Sequence, residues 1–278
     1  MTELAEPVLG LSGLHHTFFP GTPSEQLALQ GVDLSVQAGS FVVVVGINGS
    51  GKSTLLNAIA GTVSLDQGTV RFSGRDVTHW PEHRRAAFIG RVFQNPFSGT
   101  APHLTIAENL AIASGRGGHR GILHWGLGAA RRAELTDRLN AMDLGLADRL
   151  DTPTGVLSGG ERQALTLLMA TIVRPALLLL DEHTAALDPR SAEQVVRLTE
   201  QTVQRGGLTT LMVTHSMHQA VRLGDRLLVM HRGRIVEDFA GARKRRLRVE
   251  DLLDQFDRLR NTDLVDESAA EMLRRSYV

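Results

Sequence analysis

Residues 41 to 61 read Phe-Val-Val-Val-Val-Gly-Ile-Asn-Gly-Ser-Gly-Lys-Ser-Thr-Leu-Leu-Asn-Ala-Ile-Ala-Gly. Four consecutive valines after Phe41 suit a strand covered on both faces, because β-branched side chains fit a pleated surface and leave no polar face for water. From Gly46 to Ser53 the spelling becomes G-x-x-x-x-G-K-S, and from Thr54 onward Leu55, Leu56 and Ile59 recur at helical spacing. Strand, glycine-rich turn and helix in that order make a phosphate-binding loop. Gly46, Gly49 and Gly51 admit backbone conformations that bulkier residues resist, so successive N–H groups can point at a di- or triphosphate lying at the positive helix end. In this pattern Lys52 reaches the β- and γ-phosphates and the Ser53 hydroxyl ligates Mg²⁺. A glycine-rich turn that binds nothing is the bland alternative, and the strand before it and the helix after it disfavour that reading.

The chain has 278 residues, 42% hydrophobic and 22% charged, which suits one large soluble domain or two small ones. Lys and Arg number 30, as do Asp and Glu, so the bulk charge argues against a dedicated nucleic-acid binder. There is no cysteine, hence no disulfide and no thiolate metal site. The acidic start Met1-Thr2-Glu3-Leu4-Ala5-Glu6 lacks the regions of a signal peptide, and a cytosolic site of action is expected. No apolar run approaches the ~20 residues of a membrane helix, so work at a membrane would require other chains to hold the protein there.

Ahead of the loop, Val8 to Leu11 and Leu27 to Leu34 read as strands separated by a turn-rich excursion from His15 to Pro23. One of Phe18 and Phe19 is expected at the surface, where an aromatic ring can stack on a base. Gly68 to Gly74 reads as a strand pairing with the N-terminal ones, Pro81 opens a short helix, and Ile89 to Phe93 is a strand ending at Gln94. Thr105 and Glu108 form a capping box that starts a helix. Residues 114 to 128 read as a surface loop in which His119 and His124 are solvated, and a helix follows from about Ala129 to Met142.

Leu157-Ser158-Gly159-Gly160-Glu161-Arg162-Gln163 is a Ser-Gly-Gly turn opening an amphipathic helix to about Val173. Such a start is either a second anion site or an ordinary capped helix. Ala176 to Leu180 is a buried strand that delivers Asp181 and Glu182 at its end. Terminal acids there are costly unless they face a cation or a reacting group. Beside a phosphate loop, Asp181 is explained as a Mg²⁺ partner and Glu182 as the group that polarises an attacking water, against the alternative of a strand-end salt bridge. Leu208 to Val213 is another buried strand, ending at Thr214-His215, and residues 226 to 236 read as a hairpin through an Arg-Gly turn. His215 is either a γ-phosphate sensor or a satisfied core histidine.

Taken together, the motifs resemble those of the ATP-binding subunit of an ABC transporter. Gly46 to Ser53 is similar to Walker A, Gln94 in Val-Phe-Gln-Asn-Pro to the Q-loop, Leu157 to Gln163 to the signature, Leu177 to Glu182 to Walker B, Ala186-Leu187-Asp188 to the D-loop, and His215 to the switch histidine. The resemblance covers roughly residues 8 to 240, and the signature is its most discriminating part. Gly21 to Glu25, Arg91 to Pro96 with Gly99 to Pro102, and Asp181 to Pro189 further resemble a bacterial subgroup described as tryptophan/tyrosine-type or unassigned-substrate uptake systems. His183 departs from the commonest pattern, in which Pro or Ala follows the glutamate.

The resemblance implies an α/β P-loop NTPase: a RecA-like core, an antiparallel β-subdomain and an ABC-type helical subdomain at about residues 95–165, in an ATP-binding domain of residues 1–240 with a short helical extension at 241–278. It implies ATP and Mg²⁺, with nucleotide contacts from Phe18, Gly46, Asn48, Gly49, Ser50, Gly51, Lys52, Ser53, Thr54, Ser158, Gly159, Gly160 and Asp188. Metal contacts fall to Ser53, Gln94 and Asp181, and catalytic roles to Glu182, His215 and Gln94. A head-to-tail pair is implied, with Ser158-Gly159-Gly160 of one copy capping the γ-phosphate held by Lys52 of the other. The partners implied are integral-membrane permease subunits and an extracytoplasmic solute-binding protein, not nucleic acid, with the chain on the cytoplasmic face of the plasma membrane. A soluble ABC-type ATPase of DNA or the ribosome would carry a long coiled coil after the Q-loop or a fused second domain, and neither is present. A phosphate-loop kinase or GTPase has no use for the signature.

Beyond residue 240, the basic run 241–248 reads as a solvated linker, against the alternative of contact with anionic lipid headgroups, and Leu252, Leu253, Phe256 and Leu259 form one apolar stripe for docking on the core.

Overall fold

All six residues of β3 (Phe41–Gly46) are buried. The computed structural model, which describes residues 6–117, 128–142 and 145–259, places this strand inside a six-stranded sheet of order β10-β9-β3-β8-β7-β6. Its other members are β6 (Ile89–Val92), β7 (Leu177–Asp181), β8 (Thr210–Val213), β9 (Arg226–His231) and β10 (Arg234–Ala240). Every neighbouring pair is parallel except β9 with β10. That last pair is the expected hairpin, turning through Arg232 and Gly233 at positive φ of 45° and 75°, the conformation a tight two-residue turn requires.

Period-two alternation splits the central strands between two cores. Val42, Val44, Leu179, Leu211 and Leu228 enter one with α1 (Lys52–Ala60) and the N-terminal sheet. Val43, Val45, Leu178, Leu180 and Met212 enter the other, on the side of α5 (Gly159–Thr171) and α6 (Pro189–Gly206). The continuous apolar runs read from the sequence are what a sheet buried on both faces needs.

The second sheet is antiparallel, with order β2-β1-β4-β5, from β1 (Leu9–Phe18), β2 (Gln26–Val36), β4 (Gln67–Phe72) and β5 (Arg75–Asp76). β1 runs through Phe18, so the turn-rich excursion is shorter than expected: His15 to Phe18 pair with Gln30 to Gln26 of β2. Register shifts along β1 carry this extension, which alternation alone does not reveal.

A third core joins α3 (Ile106–Ser114), α4 (Ala129–Asn140) and α5 through Ile106, Leu110, Leu135, Leu139, Leu165 and Leu168. Thr105 caps α3 as its spacing predicts: Oγ1 accepts from Glu108 N, and the Glu108 carboxylate accepts from Thr105 N. Short helices α2 (Glu82–Arg85) and α7 (Met217–Arg222) complete the body. His119 and His124 lie outside the described residues.

The basic run is mostly helical rather than an irregular linker, with Arg243, Arg245, Arg246 and Arg248 exposed. Residues Gly241–Arg246 form a helix, α8, and Lys244 is buried with Nζ donating to Val221 O at 2.5 Å. Residues 249–259 are helical, and Leu252 and Phe256 join the core behind Val43 and Val45, with Leu259 packed beside them. Leu253 stands 49% exposed, off the stripe. Residues 252, 256 and 259 share a face at i, i+4 and i+7, and Leu253 lies about 100° around the helix from Leu252. Phe256→Ala should lower unfolding free energy by about 3–5 kcal/mol through the cavity it leaves, whereas Leu253→Ala should shift it by less than about 0.5 kcal/mol. Urea unfolding of the two variants checks the difference, and equal losses would contradict this docking.

Candidate functional site

The parallel strands β3, β8, β7 and β6 all end on one edge of the sheet, and the motifs sit at those ends. After β3 the loop must be glycine. A Cβ on Gly46 would stand 2.3 Å from Met230 O and 2.5 Å from Ser50 Oγ, and one on Gly51, at φ 97°, 2.4 Å from Ala28 O. Gly51 leads directly into α1, whose start no described side chain caps, so its first N–H groups remain to face an anion.

Lys52 is buried, and its Nζ donates to Gly46 O at 2.9 Å and Ile47 O at 3.0 Å, with Ser50 Oγ at 3.4 Å. An ammonium held by carbonyls and a hydroxyl, with no acid in contact, keeps its charge uncompensated. Desolvation lowers its pKa, and the nearby charges of Glu182 and Asp181 oppose the shift.

A cleft of about 290 Å³ opens over this loop, lined by Phe18, Gln26, Ala28, Asn48 to Thr54, Glu182 and His215. Glu182 Oε1 accepts from His215 Nε2 at 2.6 Å. The glutamate side chain is 10% exposed and the histidine 43%, so the pair spans the floor and mouth of the cleft. Of the two candidate aromatics, Phe18 lines the cleft and Phe19 points outward, 66% exposed.

Asp181 makes the strand-end salt bridge that the sequence reading set aside: Arg91 NH2 lies 3.4 Å from its Oδ2. The same NH2 donates to Asn57 Oδ1 of α1 at 2.7 Å, and the guanidinium stacks 4.8 Å from the Phe93 ring. Arg91 thus ties the Asp181 strand to the loop helix and to the residue before Gln94. Sequence reasoning missed it, although a lone arginine in a four-residue strand with three buried positions was the available signal. Gln94 itself is exposed and does not line the cleft. Its neighbour Phe93 is held by Gln163, whose Nε2 donates to Phe93 O at 3.0 Å.

Ser158 caps α5 in a capping box with Glu161. The Ser158-Gly159-Gly160 turn does not line the cleft of its own chain. It packs beside the start of α6, where a Cβ on Gly160 would meet Ser191 at 2.8 Å and one on Gly159 would meet Leu187 at 3.2 Å. Asp188 caps α6 by accepting from Arg190 N and Ser191 N, and its hydrogen bonds, Ser191's first, hold the carboxyl below the usual range.

No cluster of three or more His, Cys, Asp or Glu able to hold a metal ion occurs among the described residues. Ser53 on the loop and Asp181 at the end of β7 are oxygen donors, the ligand type that suits Mg²⁺ when phosphates and water complete its shell.

The family model described as ABC transporter matches residues 29–185. The chain is 38% identical over 232 residues to the tyrosine transport ATP-binding protein of Clostridioides difficile, covering 82% of this chain and 90% of that protein. It is 36% identical over 239 residues to the lipoprotein-releasing system ATP-binding protein LolD of a Ruegeria species, covering 84% of this chain and 100% of that protein. Its fold superposes with a TM-score of 0.71 and 27% identity on the ATP-binding cassette MJ0796 in a dimeric post-hydrolysis state bound to ADP and Pi, covering 84% of this chain and 98% of that one. A phosphate loop, a carboxylate–histidine pair facing it and a separate Ser-Gly-Gly helix start on one cassette-like fold agree with these likenesses: the chain belongs to the ABC transporter family, as one of its ATP-binding ATPase subunits.

Proposed function

We propose that the chain drives uptake of an amino acid or similar small solute in a bacterium by hydrolysing ATP as a head-to-tail dimer bound to separate permease subunits, with an extracytoplasmic solute-binding protein delivering the cargo. Residues 1–240 form the ATP-binding unit, with a helical subdomain at about 95–165, and 241–278 form an extension. The observation that carries the reading is the cleft that joins the uncompensated Lys52 ammonium to the Glu182–His215 pair. Uptake and cargo class rest on the likeness to the tyrosine transport protein and on the resemblance of Arg91 to Pro96 and Asp181 to Pro189 to uptake systems. Among the described residues no helix is long and apolar enough to cross a membrane, so attachment to the cytoplasmic face falls to the permease.

In this reading Phe18 stacks on the base, and the loop from Gly46 to Thr54 wraps the phosphates with backbone N–H groups while Lys52 turns from its carbonyl partners to the β- and γ-phosphates. Ser53 and Asp181 would hold Mg²⁺, and Gln94, exposed outside the cleft in this structure, would have to turn inward to join them; the ion would neutralise charge on the phosphate oxygens. Glu182 takes a proton from the attacking water and His215 steadies the γ-phosphate. Hydrolysis needs two copies, because Ser158-Gly159-Gly160 and Asp188 of one chain meet the nucleotide of the other. Nucleotide binding then favours the closed pair, since only there does the γ-phosphate contact both chains.

Two variants test the assignment. Glu182→Gln keeps size and hydrogen bonding while removing the base, so ATP binding persists, turnover falls by about 10²-fold or more, and closed dimers accumulate. Steady-state phosphate release at wild-type rate would remove Glu182 from this role. Ser158→Arg puts bulk and charge at the shared interface while leaving the loop of its own chain intact. Equilibrium titration should find ATP binding unchanged, and light scattering should find no ATP-driven dimers; normal dimers with normal turnover would refute the shared site.

A further inference from the structure

His183 is buried directly behind Glu182. Its Nε2 lies 3.0 Å from Thr199 Oγ1 on α6, and that hydroxyl donates to Val195 O at 2.8 Å. A hydroxyl carries one proton, so Thr199 accepts from His183 and the ring is the Nε2–H tautomer. Nδ1 is buried with no hydrogen-bond partner among the described residues. No described protein group therefore meets half of the ring's polar capacity, a cost that an apolar side chain of similar volume would not carry.

The backbone next to it is unusual. Glu182 has φ 45°, a left-handed conformation rare for a residue with a side chain, and it persists only where the surroundings over-determine it. The turn that follows is closed by Ala185 N donating to Glu182 O at 2.9 Å. Two consecutive side chains tie it down from two helices: His183 to Thr199 of α6, and Thr184, whose Oγ1 accepts from Gln219 Nε2 of α7 at 3.1 Å. The Gln219 tie reaches back to the His215 loop, since its Oε1 accepts from Thr214 Oγ1 at 2.9 Å. Among the described residues, the His183–Thr199 bond is the one hydrogen bond that connects this turn to α6.

We propose that His183 is a positioning residue for hydrolysis: its bond to Thr199 anchors the turn, holding Glu182 in the left-handed conformation with its carboxylate aimed at His215 and the cleft. This rests on the reading of Glu182 as the base. The anchor acts on the direction of the carboxylate and not on the phosphate loop, so its loss slows the chemical step and leaves nucleotide affinity in place.

The experiment uses the full chain and the variants Thr199→Val, His183→Leu, the double variant and His183→Gln, with ATPase kinetics, binding of a fluorescent ATP analogue and thermal melts. Thr199→Val keeps the shape of the side chain and removes the hydroxyl, which is the acceptor for His183 and a local donor to Val195 O within α6, so it reports even if His183→Leu fails to fold. Thr199→Val is expected to lower kcat about tenfold with KM and analogue affinity within about twofold. The double variant should be no slower than the slower single, because both remove one bond, and His183→Gln, whose amide donor can replace Nε2–H, should recover most of the rate. Wild-type kcat in Thr199→Val, or additive losses in the double variant, would overturn the anchor. Glu182→Gln run in parallel separates the two readings: if it hydrolyses ATP normally the assignment of the base fails, and if it is inactive while Thr199→Val is normal only the anchor fails.

Discussion

Parallel pairing is the constraint on which the site depends. Strands hydrogen-bonded in parallel end on the same edge, so Gly46, Val213, Asp181 and Val92 bring their following residues to one side of the sheet although they are far apart in sequence. The phosphate loop, His215, Glu182 and Gln94 are those following residues. An antiparallel pair among β3, β8 and β7 would send one of these groups to the opposite edge. The same constraint demands cover on both faces, which the two cores meeting at the valines of β3 supply.

Charge at that edge is arranged rather than merely present. Two adjacent carboxylates at the end of an apolar strand repel each other and are poorly hydrated. Here each has its own partner: Asp181 meets Arg91, and Glu182 meets His215. Lys52 is left facing carbonyls, and the acids raise its pKa against the pull of burial. The edge therefore keeps a cation without a contacting anion at the end of a helix whose dipole is also positive there, and that combination favours a polyphosphate.

Much of this was legible in the sequence because it lies in local patterns. The valine run fixed a doubly buried strand, the glycine spacing fixed the loop, and Thr105 with Glu108 fixed a helix start. What escaped were relations between distant segments. A strand pattern says which residues are buried but not which charge a buried arginine will meet, so Arg91 went unread and Asp181 was assigned to a metal without its salt bridge. The extension of β1 through Phe18 depends on register shifts against β2, and the helix at 241–246 on a buried lysine finding Val221 O. The Leu253 expectation fails for a simpler reason: one residue after Leu252 it lies about 100° around the helix, off the face shared by residues 252, 256 and 259. Gln94 was expected beside the nucleotide and stands exposed outside the cleft, since its position depends on how the segment after β6 is gripped by Gln163.

The docking of residues 252 and 256 behind β3 has a consequence for biosynthesis. Val43 and Val45 share a core with side chains made about 200 residues later, and at ~5–20 residues per second that interval lasts on the order of tens of seconds. Throughout it, one face of the central strand lacks its final cover on the ribosome. A nascent chain with such distant closing contacts is slow to complete and exposed to wrong partners meanwhile. The helix at residues 249–259 closes that face only once it has left the ribosome.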